Sequence, residues 1–170
     1  NEHLLANAMP KVYSIGSCTT NAVAPVLAMV EGLSPIVEGS LVSVHAYTND
    51  QALAETTHKD FRRGRNATQN IIPTSTGAAK AVGMVMPELN GKLDGMAMRV
   101  PVPNGSVVDL IVELDKSVTV EEINKAVKKA SENDVNLTIN NSRKESSAAS
   151  SFASVGLFLI FVIAYMNKSH

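Results

Sequence analysis

Apolar positions recur every three to four residues after Asn21, where Val23, Val26, Leu27 and Val30 share one stripe. That spacing predicts an amphipathic helix. Thr19, Thr20 or Asn21 can cap it, Pro25 is tolerable only within its opening turn, and Gly32 ends it. Before it, Lys11–Ile15 is a short extended run closed by Gly16. Leu41–Thr48 alternates, with Val42, Val44 and Ala46 on one face, and reads as a strand. Asn49–Asn70 is polar and patternless, and an irregular stretch of that length is usually functional. Pro73-Thr74-Ser75-Thr76-Gly77 opens a second helix through Ala78, Ala79, Val82, Val85 and Met86, halted near Pro87. Gly95–Val102 and Ser106–Leu114 are strand-like runs around the turn signal Pro103-Asn104-Gly105, predicting a hairpin or neighbouring strands. Thr119 and Glu122 make a capping box ahead of a helix bearing Ile123, Ala126, Val127 and Ala130.

Strands in adjacent runs, without strict β-α-β alternation, predict an α+β fold: a mixed, largely antiparallel sheet with helices packed on one face. No GxGxxG follows a strand, so no dinucleotide-binding unit is visible in these residues. The remaining sequence changes pattern. Ser131–Ser151 is polar and rich in Ser and Asn, and Phe152–Met166 is 15 uncharged residues carrying four of the seven aromatics. With the preceding AASS this reaches the lower range of a bilayer span. The run reads as a buried strand or an altered terminus, with a membrane tail anchor as the alternative; unbroken apolarity suits burial on both faces.

At 170 residues and 18.0 kDa, with 45% hydrophobic residues, the chain is long enough for one domain with a real core. Fifteen basic and 16 acidic residues leave a formal charge of −1, which offers no basic field for nucleic acid. A single cysteine excludes a disulfide framework and any multi-cysteine metal site, and no metal is expected. The composition predicts a soluble, cytoplasmic protein.

That cysteine, Cys18, lies between an extended run and a helix start, among Ser17, Thr19, Thr20 and Asn21. Unpaired N–H groups and the helix dipole favour a thiolate there. His45, on the same strand face as Ser43 and Tyr47, is its natural partner, able to exchange a proton with a substrate oxygen. Thr76-Gly77 at a helix N-terminus suits an anion, although plain capping explains Thr76 equally well. Arg99 sits among Met96, Met98 and Val100, where an arginine needs a partner. Arg62, Arg63 and Arg65 form either a solvated loop or further anion ligands. Together these groups suggest a phosphorylated substrate meeting a nucleophile.

Ser17-Cys18-Thr19-Thr20-Asn21 resembles the active-site signature of phosphorylating glyceraldehyde-3-phosphate dehydrogenases. The blocks VHAYTNDQ (44–51), RRGR (62–65), NIIPTSTGAAKAV (70–82), PELNGKL (87–93), RVPVPN (99–104) and SVVDL (106–110) follow in the family's order. The resemblance runs from about Lys11 to Ser131. It implies the family's C-terminal, catalytic domain over 1–151, a divergent apolar tail over 152–170, and absence of the N-terminal NAD-binding domain. It further implies a glycolytic oxidoreductase with Cys18 as nucleophile and His45 as base, oxidising glyceraldehyde 3-phosphate through a thioester cleaved by inorganic phosphate. Hydride would go to NAD, with NADP not distinguished. Ser17, Thr19, Thr76 and Gly77 match positions around the attacking phosphate, and Thr48, Arg63 and Arg99 match groups for the substrate's own phosphate. Asn167, in a faint match to the family's terminal segment, would contact the nicotinamide. Asn49–Asn70 resembles the S-shaped loop that lines a neighbouring subunit's cofactor site in a homotetramer. The alternative is a catalytically incomplete chain serving as a subunit-docking or membrane-tethered module.

Overall fold

The computed structural model describes residues 16–133 and 158–166. It contains helices α1 (Cys18–Leu33), α2 (Ala78–Val85) and α3 (Val120–Asn133), and strands β1 (Ile36–Ala46), β2 (Ile72–Ser75), β3 (Leu93–Val100), β4 (Ser106–Leu114) and β5 (Phe158–Met166). A single 3₁₀ turn, Pro87–Leu89, follows α2. The strands form one sheet in the order β2-β3-β1-β4-β5. β1 runs parallel to β3 and antiparallel to β4, β2 is antiparallel to β3, and β5 is parallel to β4. The fold is therefore α+β with a mixed sheet, its pairings split evenly between the two directions.

Alternation explains the core. Leu41 and Ser43 of β1 share a face with Val108, Leu110 and Val112 of β4 and Ala97 of β3. On this face lie Val23, Val26, Leu27 and Val30 of α1 and Ala78, Ala79 and Val82 of α2, in one contiguous buried cluster. Full burial of each large side chain stabilises by roughly 1.5–3 kcal/mol. The opposite face carries Val42, Val44, Met96, Met98, Val107 and Asp109, all half-buried, with Ile111 exposed. No described helix packs there.

Several expectations are corrected. The runs around Pro103-Asn104-Gly105 are not neighbours, because β1 lies between β3 and β4. The turn exists, with Gly105 at φ 86°, but a turn signal reports a reversal and not which strand is adjacent. The cap of α1 is Ser17, upstream of the three residues expected, and the helix runs past Gly32 to Leu33. Pro25 is the eighth residue of α1, well beyond its opening turn. A mid-helix proline costs about 3 kcal/mol; burial of four large apolar side chains on the same helix outweighs it. β2 occupies Ile72–Ser75, where a helix opening was expected, and α2 begins only at Ala78. The capping box stands as expected: Thr119 N and Oγ1 both donate to Glu122 Oε2 (2.8 and 2.9 Å), and Glu122 N donates back to Thr119 Oγ1 (3.2 Å). β5 falls in the apolar run, paired from Ser106↔Phe158 to Leu114↔Met166. No helix among the described residues is long and apolar enough to cross a membrane. Lys11–Ile15, most of the Ser/Asn-rich stretch and Asn167 lie outside the described residues.

Candidate active site

The site is assembled where the N-terminus of α1 meets the C-terminal end of β1. Gly16 adopts φ 73°, a left-handed conformation that suits glycine, and turns the chain into α1. Ser17 Oγ then accepts from Thr20 N at 3.0 Å and lies 2.6 Å from Thr20 Oγ1. The first backbone bond of the helix runs from Asn21 N to Ser17 O at 3.0 Å. Cys18 is thus the first helical residue, exposed, within the positive end of the helix dipole. Thr19 turns inward, buried, with Oγ1 3.4 Å from Ser43 Oγ.

His45 ends the row Leu41, Ser43, His45 on the helix-covered face of β1. Its Nε2 lies 3.6 Å from Cys18 Sγ, a hydrogen-bond contact for sulfur. Its Nδ1 lies 2.6 Å from Ala46 O and 2.8 Å from Arg99 Nη1. Arg99 is the β3 register partner of His45, and its Nη1 also reaches Ala46 O at 3.2 Å. Its Nε is buried without a partner, and no carboxylate pairs with it among the described residues. Burial holds the guanidinium below its ordinary pKa, attraction to Cys18 opposes this, repulsion from Arg63 adds to the depression, and Asp50 opposes it. On the other side of His45, Ser106 is its β4 partner. Ala46 N donates to Gly105 O at 3.0 Å, so the His45–Ser106 pair is the close, non-hydrogen-bonded kind. Ser106 Oγ is buried and unpartnered.

Of the three loop arginines, two are spent locally. Arg62 forks onto Asp60 (3.0 and 2.9 Å), a pairing that lowers the Asp60 carboxyl to about 2, and Arg65 Nη1 donates to Glu55 at 2.8 Å. Arg63 points inward: Nε donates to Thr74 Oγ1 at 2.6 Å, Nη2 to Ser75 Oγ at 3.1 Å, and Nη1 to Asp50. The loop around it is irregular but knitted, with Ala52 N bonded to Arg63 O, Thr56 N to Gly64 O and Ala67 N to Ala52 O, all at 2.9 Å. Thr48 is held by buried Gln51, whose Oε1 accepts from Thr48 N (2.9 Å) and Oγ1 (3.1 Å). Thr76 Oγ1 accepts from Ala78 N at 3.2 Å, and Gly77 is the N-cap of α2 without a side-chain cap.

Cys18, His45 and Arg99 are therefore in one cluster that Arg63 joins electrostatically, while Thr76-Gly77 follows directly on the Ser75 that Arg63 holds. Sequence reading missed Asp50, Gln51 and the Ala46 carbonyl. An acidic and an amide residue directly after a strand and ahead of an arginine run was the available signal for the first two; a backbone acceptor leaves none. Among the described residues no group of His, Cys, Asp and Glu could hold a metal ion.

Residues 17–155 match the model of the family described as glyceraldehyde 3-phosphate dehydrogenase, C-terminal domain. The chain belongs to that family. It is 54% identical over 135 residues to the glyceraldehyde-3-phosphate dehydrogenase of Priestia megaterium, covering 79% of this chain and 40% of the relative. The enzyme of that name from Geobacillus stearothermophilus is 57% identical over 124 residues (73% and 37%), and that from Streptomyces coelicolor 54% over 132 (78% and 37%). The chain thus spans well under half the length of these relatives. The family match ends at 155, ahead of β5.

Proposed function

We propose that this chain is the catalytic portion of a phosphorylating glyceraldehyde-3-phosphate dehydrogenase. The observation that carries this reading is Cys18 at the first position of a capped helix with Nε2 of His45 at 3.6 Å. The thiolate would attack the aldehyde carbon, giving a thiohemiacetal on Sγ. The backbone N–H groups of Cys18 and Thr19, at the start of α1 and without helical acceptors, are placed for the developing oxyanion. His45 Nε2 would take the hydroxyl proton as the carbon loses hydride, leaving a thioester on Cys18. Inorganic phosphate would attack the thioester carbonyl, releasing an acyl phosphate and the thiol. Arg99 and Arg63, with Thr48, supply cationic and hydroxyl groups for the substrate's phosphate; Ser17, Thr19, Thr76 and Gly77 suit the attacking phosphate.

A nicotinamide, NAD or NADP, would supply the hydride acceptor. The reacting end is open to one at Cys18, which is exposed. No glycine-rich cradle for a dinucleotide's phosphates occurs among the described residues, so the bulk of the cofactor would be held by another domain. Asn167 is the candidate contact for the carboxamide. An exposed reactive thiol further suits the reducing cytoplasm. The half-buried Val42, Val44, Met96, Met98 and Val107 face would meet a second subunit, consistent with a homotetramer.

The test needs no cofactor. An acyl phosphate runs the last step backwards, transferring its acyl group to Cys18 and releasing phosphate. Acetyl phosphate should acylate the parent chain at Cys18, seen by intact mass, and His45→Ala should slow this at least tenfold. Equal rates in the parent and His45→Ala would remove the reading.

A further inference from the structure

The turn Pro103-Asn104-Gly105 leads from β3 into β4 beside the site, yet it takes no part in the chemistry proposed above. Asn104 is exposed. Among the described residues, neither its carboxamide nor the N–H of Gly105 has a hydrogen-bond partner. The ladder explains the second of these. Continued by one residue, the β1–β4 register sets Gly105 opposite Ala46, where antiparallel partners ordinarily exchange both backbone bonds. Ala46 N does donate to Gly105 O at 3.0 Å, but no bond returns, because Gly105 at φ 86° turns its N–H away. Ala46 O is occupied instead by His45 Nδ1 (2.6 Å) and Arg99 Nη1 (3.2 Å).

These are the two groups that asparagine deamidation brings together, and glycine places no Cβ beside the attacking nitrogen. The main-chain nitrogen of Gly105, on losing its proton, attacks Cγ of Asn104. The new N–Cγ bond closes a succinimide ring, the Cγ–Nδ2 bond breaks, and the side-chain nitrogen leaves as ammonia with a proton taken from water. Water then opens the ring at either carbonyl. Attack at Cγ gives aspartate; attack at the main-chain carbonyl gives isoaspartate, in which the chain runs through Cβ and is longer by one carbon. A second Asn-Gly pair provides the contrast. Asn90 rests against α2, its Oδ1 and Cβ lying 3.1 and 3.5 Å from where a Cβ on Gly83 would stand. The bonds Asn90 N to Pro87 O and Lys92 N to Leu89 O, both 3.1 Å, fasten the backbone on either side of Asn90-Gly91.

We propose that Asn104-Gly105 is a site of spontaneous deamidation, and that isoaspartate formed there unseats the end of β1 that carries His45. The extra carbon enters directly ahead of Gly105, whose carbonyl anchors Ala46 N, and of Ser106, the cross-strand partner of His45. Gly105 and Ser106 must shift along the strand to accommodate it, and the 3.0 Å bond to Ala46 is the first to be lost. Chemical ageing of one exposed turn thereby reaches the residue 3.6 Å from Cys18. The loss of reactivity rests on the role given to His45 in the preceding reading; the modification and the backbone shift do not.

The folded chain would be incubated at mildly alkaline pH and sampled by tryptic mapping, with Asn104 in the fragment 100–116 and Asn90 in the fragment 81–92. Asn104 should convert roughly tenfold faster than Asn90 in the folded chain, and the two at comparable rates in concentrated urea. Equal rates in the folded chain, or faster conversion of Asn90, overturns the site. Hydrogen exchange at the Ala46 amide then reads the backbone. It should quicken by roughly tenfold in the isoaspartyl form and stay slow in Asn104→Gln aged in parallel. Asn104→Asp adds the charge without the carbon and should keep Ala46 protected. Unchanged exchange in the isoaspartyl form, or lost protection in Asn104→Asp, overturns the backbone argument. Acylation of Cys18 by acetyl phosphate should fall in proportion to the isoaspartyl fraction, and acylation indifferent to that fraction overturns the link to the site. If the fresh parent chain is not acylated at all, the functional reading fails instead, while mapping and exchange still decide the modification.

Discussion

The N-cap of α1 carries a disproportionate share of the site's order, and Ser17→Ala measures it. Ser17 Oγ accepts from Thr20 N at 3.0 Å, a bond whose loss costs about 1 kcal/mol. The same oxygen is 2.6 Å from Thr20 Oγ1, and Thr20 is 5% exposed. Losing that second hydrogen bond adds roughly 0.5–1.5 kcal/mol. The helix has little reserve in this region, because Pro25 donates no bond to the Asn21 carbonyl. The total is about 1.5–2.5 kcal/mol, which in a chain of this size lowers Tm by roughly 3–10 °C. Urea and thermal melts read the stability, and the rate of Cys18 alkylation by iodoacetamide reads the site. Fraying of the first turn moves Sγ off its 3.6 Å contact with His45 Nε2, so the alkylation rate should fall. Ser17→Asp is the capping control: a carboxylate also accepts from Thr20 N, so stability should be largely kept. A loss below about 0.3 kcal/mol in Ser17→Ala, with unchanged Cys18 reactivity, would refute the argument.

Two further outcomes are expected. A Cβ at Gly95 would lie 2.6 Å from Leu41 O and 2.8 Å from Leu41 Cγ, so Gly95→Ala should separate β3 from β1 and destabilise by about 1–3 kcal/mol in urea melts; a neutral result would exclude this register. Asp60 is held by Arg62 at about 2, below its ordinary 3.8, so its contribution is complete above pH 4 and disappears as pH falls toward 2; Asp60→Asn should flatten the acid limb of stability in that window, and an unchanged limb would deny the pairing.

Much of this was legible in the residues. The alternation in Ser106–Leu114 gave β4 to the residue, and the Thr119/Glu122 box gave the start of α3. The polar neighbours of Cys18 and the strand face of His45 make the two natural partners in the sequence, and in the structure they lie 3.6 Å apart. The order of strands was not legible, since a period of two says which face a residue takes and nothing about which strand lies alongside. In the run Ser17-Cys18-Thr19-Thr20-Asn21 four residues can cap, and composition alone does not choose among them. Pro25 sits mid-helix against local preference because Val23, Val26, Leu27 and Val30 gain burial against the sheet, which the local sequence does not reveal. The division of labour among Arg62, Arg63 and Arg65 depends on Asp60, Glu55 and Thr74 being brought round by the loop, a long-range arrangement that a run of charges does not encode.

The central place of β1 has a consequence for how the molecule comes into being. Both strands that flank it come later in the chain; His45 and Arg99, side by side in the sheet, are 54 residues apart. A nascent chain emerging from the N-terminal side presents Leu41, Val42 and Val44 long before either neighbour exists to cover them. Pairing of so high a sequence separation is slow, and an unpaired apolar strand is open to association with other chains while it waits. In pulse-labelled hydrogen exchange during refolding, β1, β3 and β4 should gain protection together and late, with α1 preceding them. His45, the proposed base, is thus fixed in place only once the sheet closes around it, so the reactivity proposed for Cys18 should appear as one of the last events of folding.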